Sequence, residues 1–503
     1  MSPVLLSSIV IIYFLVLLGI AFYTSRHSGN EDFFIGNRNS KWWVVAFGMV
    51  GTSLSGMTFI SVPGYVGTSG FDYFQVVIGY WLGYFAVAYI LLPLYYKLNL
   101  TSIYTYLEQR LGEVSYKTGA LFFIISRTMG ATLRLYLVIK VLENFILNDL
   151  GVPFEVTTVA ILVLILLYTY RGGVKTIVWT DTLQTTFMLL ALITCFVFIL
   201  KALPYSPAEA FSRMQSGGFL KFINTAPLHK SFFLKQFLGG AFITISMTGL
   251  DQEMMQKNIS VSNVHDSRKN MITLSFLQGM VVLIFLLLGG LLYLYAMNSG
   301  AVFQKVMVNG AMQTQFLYQG KNIIGDDLFP FLALKVMPPF IGLIFIIGLI
   351  SALFPSADGA LTALTSSFCI DILGIRKRKG LSEQQQKRIR MMVHYSFSVL
   401  FLICVFFFRS VDNGSLIQLL LKIAGYTYGP LLALFAFGIL TKRSVNNTLV
   451  PLICLAAPVL CYMLKENDKK LLGGYEIGVE LLIINAGITF LFLWVTSKKG
   501  ANQ

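Results

Sequence analysis

The sequence predicts an all-α polytopic membrane protein of about thirteen transmembrane helices, arranged as a 5+5 inverted repeat with discontinuous helices. Three observations predict this class. Of 503 residues, 56% are hydrophobic and only 12% are charged. The apolar residues form blocks long enough to cross a bilayer. Glycines and hydroxyls interrupt two of these blocks at corresponding places, and a third polar block contains a carboxylate.

The predicted helices follow one another along the whole chain. A block of roughly 18 apolar residues can span the hydrocarbon, and it folds as a helix because lipid offers no hydrogen-bond partners. The first block lacks a small-residue cleavage site, so we expect a retained helix and not a signal peptide. The spans lie near residues 4–24, 42–66, 73–96, 118–147, 156–170, 181–204, 235–256, 272–298, 327–372, 391–409, 415–441, 446–464 and 476–496.

These spans divide the chain into five parts. No polar stretch is long enough to bury a core of its own, so we expect the function to lie inside the bundle. We expect the loop at 299–326 to cover the pathway from outside. The parts are a leading helix with a cytoplasmic loop at 1–41, a first five-helix repeat at 42–204, an external loop at 205–234, a second and inverted repeat at 235–441, and two trailing helices with a short cytoplasmic tail at 442–503.

The net charge of +15 indicates membrane orientation and not nucleic-acid binding. Basic residues cluster in alternate short loops, which the positive-inside rule places in the cytoplasm. The expected location is the cell inner (plasma) membrane, with the N-terminus outside and the C-terminus in the cytoplasm. Short basic loops such as Arg376–Lys379 contact anionic lipid. The five cysteines lie in apolar runs without metal-ligand spacing, which predicts buried free thiols.

Three membrane segments are unusually polar. Residues 46–64 and 239–252 contain glycines and hydroxyls at midspan. Interrupted helices at matching places in two halves indicate a transport site, although small residues can also serve close helix packing. The third segment, Ala352–Ser367, contains Pro355 and Asp358. Burying a carboxylate at the bilayer centre costs about 2.5–3.5 kcal/mol even on lenient scales, so this acid marks an ion or solute path.

Short motifs along nearly the whole chain carry a family resemblance. They are Asp32-Phe-Phe-Ile-Gly-Asn-Arg38, Gly51-Thr-Ser-Leu-Ser-Gly-Met-Thr58, Leu100-Thr-Ser-Ile-Tyr-Thr-Tyr-Leu-Glu-Gln-Arg-Leu111, Gly172-Gly-Val-Lys-Thr-Ile-Val-Trp-Thr-Asp-Thr-Leu-Gln184, Asp251-Gln-Glu-Met-Met-Gln-Lys257, Ser366-Ser-Phe-Cys-Ile-Asp371 and Gly429-Pro-Leu431. In this order they resemble the sodium/solute symporter family, which has a leucine-transporter-like fold. The resemblance implies alternating-access transport driven by an inward sodium gradient.

The resemblance also implies a sodium site. Its ligands would be the backbone carbonyls of Gly51, Leu54 and Ala352 and the side chain of Ser356. Unwound backbone supplies oxygens to a hard cation without burying net charge. This chain departs from the family pattern of two adjacent hydroxyls, because Pro355 precedes Ser356. The proline removes an amide and is expected to kink the helix.

Some members of the family bind a second sodium ion one turn further on. The matching positions are Asp358, Gly359 and Asp181, so Asp358 and Asp181 are candidates for a second cation or proton site. Asp181 has an alternative structural role as a helix N-cap.

The resemblance places the solute beside the interrupted helices. Any one hydroxyl there could instead bond to its own helix backbone, so the prediction rests on the whole group of hydroxyls and not on a single residue. They are Ser55, Thr58, Tyr80, Thr244, Ser246 and Thr248.

Two arginines of the fourth span, Arg127 and Arg134, lie seven residues apart on one helical face. They could clamp a carboxylated solute, because guanidinium groups match carboxylates bidentately. Alternatively they pair with Asp358 or with a helix terminus, since buried acids and bases neutralise one another.

The favoured function is sodium-coupled symport of a small polar organic solute into the cell, with an anionic solute suggested by the arginines. Proton coupling through Asp358 is the alternative within transport, and a transporter-like membrane sensor is the alternative of a different class. We expect no enzymatic activity, because the four histidines lie outside the pathway. We expect no cofactor, no metal beyond sodium, and function as a monomer in lipid.

Overall fold

The computed structural model describes residues 3–25, 38, 40–308, 311–378, 380–411 and 416–498, and these are mainly helical. The helices are α1 Pro3–Ser25, α2 Trp42–Ser53, α3 Gly56–Ser69, α4 Tyr73–Lys97, α5 Thr105–Leu111, α6 Glu113–Leu147, α7 Phe154–Ala202, α8 Pro207–Ser216, α9 Phe233–Gly249, α10 Gln252–Asn258, α11 Val264–Asn298, α12 Leu328–Phe331, α13 Pro339–Ile372, α14 Glu383–Val411, α15 Leu416–Leu440, α16 Val450–Glu466, α17 Asp468–Leu471 and α18 Leu481–Thr496.

Within the described residues, seven helices are long and apolar enough to cross a membrane. Two bent pairs of helices raise this number to nine. Shorter apolar helices occur at Ile11–Tyr23, Phe154–Leu167 and Leu481–Thr496. The architecture is therefore that of a multi-pass helical membrane protein.

Helix α7 is assigned without a break over 49 residues, where the sequence predicts two spans joined by a cytoplasmic turn. A straight helix of this length would measure about 74 Å, more than twice the hydrocarbon thickness. The side chains of the predicted turn, including Arg171 and Lys175, lie outside the described part of the chain.

Contacts with α13 show that the two halves of α7 run antiparallel. Residues 161 and 191 both lie level with residues 348–350 of α13, whereas about 45 Å would separate them along a straight helix. The chain must therefore reverse direction between them, as the two predicted spans require. The pairs are Ile161 with Ile350 in one apolar groove, Thr169 with Thr365 through hydrogen bonds to His394, and Ala191 with Gly348.

The prediction of an all-α chain is wrong at the loop 299–326. Three antiparallel strands form there: β1 Val302–Val308, β2 Ala311–Tyr318 and β3 Lys321–Asn322. The register pairs Val308 with Ala311, so two residues connect β1 and β2. The sequence between them is Asn-Gly, the dipeptide favoured in two-residue hairpin loops.

The predicted span 327–372 is also two pieces. Helix α12 and a π-helical turn, Leu332–Val336, end before Met337, and α13 begins at Pro339. Two consecutive prolines, Pro338 and Pro339, explain the interruption, because proline disfavours helical geometry in the residue before it.

Both interrupted segments predicted from the sequence are broken helices. Helices α2 and α3 meet at 57°, and α9 and α10 meet at 69°. At the first break the backbone is non-helical at Leu54 (φ −99°, ψ 61°) and Ser55 (ψ 173°). The third polar segment is continuous, with Pro355 inside helix α13, and the kink expected there stays a prediction.

Candidate functional site

A central cavity of about 90 Å³ lies between the two broken helices and receives side chains from α4, α6 and α15. Seven of the eight predicted solute-binding residues line it, from four separate helical segments. They are Ser55, Thr58, Tyr80, Arg127, Arg134, Thr244 and Thr248.

Ser246 is the predicted residue that does not line this cavity. Thr244 and Thr248 are four residues apart and share a helical face, whereas Ser246 lies halfway between them and points away. Its hydroxyl is fully buried and has no hydrogen-bond partner among the described residues.

Tyr73 and Tyr84 of α4 and Gln278 of α11 also line the cavity, beside the predicted Tyr80, and they are not among the residues predicted from the sequence. Tyr73 and Tyr80 hydroxyls lie 3.2 Å apart, and the Tyr84 hydroxyl donates to Gln278. The spacing of the tyrosines, at positions i, i+7 and i+11, places them on one helical face and could have identified them.

Arg127 belongs to a buried ion-pair cluster at one end of the cavity. Its guanidinium donates to Glu253, and its Nη1 lies 3.7 Å from Asp251 Oδ2. Both acids are on α10 or at its start, directly after the second break. Of the two interpretations of the arginines, Arg127 therefore fits the structural pair, but its partners are these acids and not Asp358.

Arg134 lies two helical turns further along α6 and has different surroundings. It is 7% exposed and lines the cavity. None of the ion pairs among the described residues includes Arg134, and its Nε has no hydrogen-bond partner there. A buried guanidinium without a carboxylate requires an anion or water beside it.

The first helix break packs against α13. A Cβ on Gly56 would lie 3.7 Å from the Cα of Leu353, so the break packs directly against the turn that contains Ala352 and Ser356. Within the described chain, no group donates a hydrogen bond to the carbonyls of Gly51 or Leu54. These two oxygens are therefore available to a cation.

Ser356 is fully buried, and its hydroxyl donates to the carbonyl of Leu353 at 2.8 Å. This bond uses the hydroxyl proton and leaves the oxygen lone pairs for another group. The four predicted sodium ligands thus lie on two segments in contact, although their roles as ligands remain a prediction.

Two carbonyls at the second break accept hydrogen bonds from tyrosine side chains. The Tyr95 hydroxyl donates to Gly249 at 2.8 Å, and the Tyr104 hydroxyl donates to Leu250 at 2.9 Å. Asp251 then caps α10 by accepting from the amides of Glu253 and Met254. Side chains therefore satisfy the carbonyls of Gly249 and Leu250 and the first amides of α10.

Asp181 is not a helix N-cap, because it lies inside the helical span Thr176–Ala202 and its carboxylate binds side chains of other segments. Its Oδ2 accepts from Lys257 Nζ at 2.7 Å and from the Thr52 hydroxyl at 3.0 Å. Lys257 is one of the basic residues that the positive-inside rule places in cytoplasmic loops. In the structure it is 3% exposed and also contacts Glu253 Oε1 at 3.1 Å.

Asp358 is fully buried one turn beyond the sodium-site residues, and its Oδ1 lies 2.5 Å from the amide of Gly359. Gly359 packs against the ion-pair cluster, where a Cβ would lie 2.2 Å from Glu253 Oε1. The candidates for a second cation or proton site therefore lie around Lys257 and Glu253.

A second cavity, of about 280 Å³, adjoins the central one and shares Tyr73, Ile417 and Leu421 with it. Three lysines line this outer cavity: Lys230, Lys422 and Lys465. Lys422 pairs with Glu466 at 3.2 Å, and Lys465 pairs with Asp468 at 2.6 Å.

Comparison with known proteins identifies related sequences over most of the chain. Residues 33–448 match the model of the sodium:solute symporter family. The sodium/sialic acid symporter of Proteus mirabilis is 23% identical over 437 residues, covering 86% of this chain and 83% of the relative. That of Aliivibrio fischeri is 23% identical over 491 residues, covering 93% and 89%. Human sodium-coupled monocarboxylate transporter 1 is 24% identical over 433 residues, covering 84% and 66%.

A solved structure shows the same fold. It is described as the substrate-bound outward-open state of a Na+-coupled sialic acid symporter. The two structures align with a TM-score of 0.81 over 98% of this chain and 99% of the other, at 20% sequence identity. The predicted leucine-transporter-like fold is thereby confirmed.

Proposed function

This chain belongs to the sodium:solute symporter family, and from that premise we propose that it imports a small carboxylated solute together with sodium by alternating access. It is a sodium-coupled solute symporter of a membrane and not an enzyme. The identity of the solute class and the residues that bind it are the proposed part.

Arg134 is the observation that supports a carboxylated solute. It contributes a buried positive charge to the central cavity without a carboxylate partner among the described residues. A bidentate guanidinium–carboxylate pair would neutralise both groups inside the membrane. Arg127 does not offer the same charge, because Glu253 and Asp251 neutralise it.

The hydroxyls of the cavity would bind the remaining polar groups of the solute. Ser55 and Thr58 flank the first break, Thr244 and Thr248 lie on α9, and Tyr80 lies on α4. Two of the relatives above are named for sialic acid and one for monocarboxylates, and all of these solutes contain a carboxylate.

Sodium would bind at the first helix break. The proposed ligands are the carbonyls of Gly51, Leu54 and Ala352 and the hydroxyl of Ser356. The absence of hydrogen-bond donors to the first two carbonyls, within the described chain, supports this assignment. Because the site bridges α2 and α13, sodium would fix the two helices in one relative position.

We further propose the membrane arrangement predicted from the sequence, namely about thirteen spans, inverted repeats at 42–204 and 235–441, an external N-terminus and a cytoplasmic C-terminus in the cell inner membrane. In this orientation the outer cavity is the external entrance. Lys422 and Lys465 are paired with acids there, so among its described lysines Lys230 would contribute most to attracting an anionic solute. The protomer contains both cavities, so we propose that a monomer transports.

The test is uptake into proteoliposomes under an imposed inward sodium gradient, with choline as the replacement cation. Sialic acid, lactate and a neutral sugar such as glucose are the probes. Concentrative uptake of a carboxylate in sodium, together with no uptake of the sugar, is the expected result. Uptake of the neutral sugar alone would contradict the proposal that Arg134 binds a carboxylate.

A further inference from the structure

The central cavity has two chemically different ends. Tyr73 lines both the central and the outer cavity, so the end of the central cavity at Tyr73 and Tyr80 adjoins the outer one. The charge of Arg134 acts on both of these tyrosines. A carboxylate bound to Arg134 would therefore lie at the level of Tyr80.

The other end of the cavity is polar but uncharged. Tyr84 lies one helical turn beyond Tyr80 on α4, about 6 Å further along the helix axis. Its hydroxyl donates to Gln278 of α11, and the hydroxyls of Ser53 and Thr248 lie beside it. All of these residues line the cavity. Ser53, Tyr84, Thr248 and Gln278 together form the neutral end of the cavity.

Two residues of the neutral end have hydrogen-bonding capacity that the described chain does not use. The Ser53 hydroxyl is buried and has no partner there. Gln278 is 7% exposed, and its side chain makes one hydrogen bond there, with Tyr84. An amide has two polar atoms, so the second one is left for another group. A buried polar group without a partner is costly, so both residues require a ligand or water.

The charges around the cavity restrict what this ligand can be. None of the described residues that line the cavity is acidic. Arg127 lines it as well, but Glu253 and Asp251 neutralise that guanidinium. At the neutral end a second carboxylate of a solute would meet no free cation, and an ammonium would meet no free acid. A buried charge without a partner is far more costly than a neutral group with hydrogen bonds.

We propose that the neutral end is a specificity site at which Ser53 and Gln278 bind an uncharged polar group of the solute. The solute class is then a monocarboxylate with a hydroxyl or carbonyl group about 6 Å from its carboxylate, and not a dicarboxylate or an ω-amino acid. This rests on the proposed binding of a carboxylate by Arg134.

Four acids with the same four-carbon skeleton test this class. Butyrate, 4-hydroxybutyrate, succinate and 4-aminobutyrate differ in the far group, which is a methyl, a hydroxyl, a carboxylate or an ammonium. Their dissociation constants are measured by isothermal titration calorimetry with the purified full-length protein in saturating sodium. We expect 4-hydroxybutyrate to bind at least about tenfold more tightly than the other three. A site built to hydrogen-bond a hydroxyl rejects an analogue that lacks it.

Substitutions at the neutral end should change the order of affinities. Ser53→Ala and Gln278→Leu should each reduce the preference for 4-hydroxybutyrate over butyrate. Gln278→Glu adds a carboxylate and should make 4-aminobutyrate the tightest ligand, which a merely structural role of Gln278 does not predict. Gln184→Leu is the matched control. Gln184 is also buried but does not line the central cavity, so this variant should keep the wild-type order.

The outcomes separate this inference from the proposed function. Equal wild-type affinities for butyrate and 4-hydroxybutyrate would overturn the inference and leave carboxylate binding by Arg134 intact. Tightest wild-type binding of succinate or 4-aminobutyrate would also overturn it. If none of the four acids binds, the inference fails, and uptake of sialic acid or lactate decides whether the proposed function fails too. If the Gln278 variants do not fold, the wild-type order and Ser53→Ala decide.

Discussion

The two helix breaks of this protein differ in what binds their backbone oxygens. At the first break, between α2 and α3, no group in the described chain donates to the carbonyls of Gly51 and Leu54. At the second, between α9 and α10, Tyr95 and Tyr104 donate to Gly249 and Leu250. Both breaks have the same glycine- and hydroxyl-rich composition, yet in the described chain these two carbonyls of the first break have no donor, whereas these two carbonyls of the second break do.

The charges near the two breaks show the same contrast. Arg127 lies beside the acids that follow the second break and is neutralised by them. Arg134, on the same face of α6, lines the cavity beside the first break and has no such partner in the described chain. We infer that the first break contributes the ion site, whereas at the second break Tyr95, Tyr104 and Arg127 already bind the polar groups of Gly249, Leu250 and the two acids.

The largest expected effect is on stability at the second break. Replacing Arg127 with Met leaves Glu253 with less positive charge in a buried position, and removal of one partner of a buried ion pair costs about 3–5 kcal/mol. We expect a large loss of thermal stability of the purified protein. The paired variant Arg127→Met, Glu253→Met removes both charges of this pair but leaves Asp251 without its cation, so it should recover part of that loss. Equal destabilisation by the single and paired variants would show that the pair is not the cause.

The next effect is on solute binding beside the first break. Arg134→Gln removes the proposed carboxylate partner, and truncation of a buried charged pair costs about 2–5 kcal/mol of binding free energy. The solute concentration that half-saturates sodium-driven uptake should therefore rise by at least about thirtyfold. Thermal stability without solute should not fall, because no described acid loses its partner. Uptake unaffected by the substitution would refute the contrast between the two arginines.

A smaller effect is expected on sodium. Ser356→Ala removes the one side-chain oxygen of the proposed site. A hydrogen bond to a charged group contributes about 1.5–3 kcal/mol, and we expect the lost contact with sodium to be of similar size. The sodium concentration that half-activates uptake should rise about tenfold or more. Ser351→Ala is the matched control, because that hydroxyl is on the same helix but donates to Tyr13. A similar shift in both variants would argue against direct coordination by Ser356.

The smallest effect is expected from the tyrosines of the second break. Tyr95→Phe and Tyr104→Phe each remove one hydrogen bond to a backbone carbonyl, at a cost of about 0.5–1.5 kcal/mol. We expect a modest fall in melting temperature and an unchanged sodium dependence of uptake. A change in sodium dependence would indicate that the second break also contributes to the ion site.

Much of the site could be predicted because its residue types are costly in a membrane. The glycines near Leu54 and Gly249, the hydroxyls around them and the buried Asp358 all stand out against apolar sequence. Lys257 could not be recognised, because it follows the second break by a few residues and resembles a basic loop residue. Its burial depends on α10 turning back into the bundle, which no local pattern specifies.

The sequence by itself determined that this chain crosses a membrane many times, where its helices break, and which polar side chains are candidates for the pathway, since lipid penalises every unsatisfied polar group. The tertiary structure decided which oxygens are left for a cation and which arginine is neutralised. Those outcomes depend on partners far away along the chain, such as Tyr95 for Gly249 and Glu253 for Arg127. Such partners are specified by packing and not by spacing.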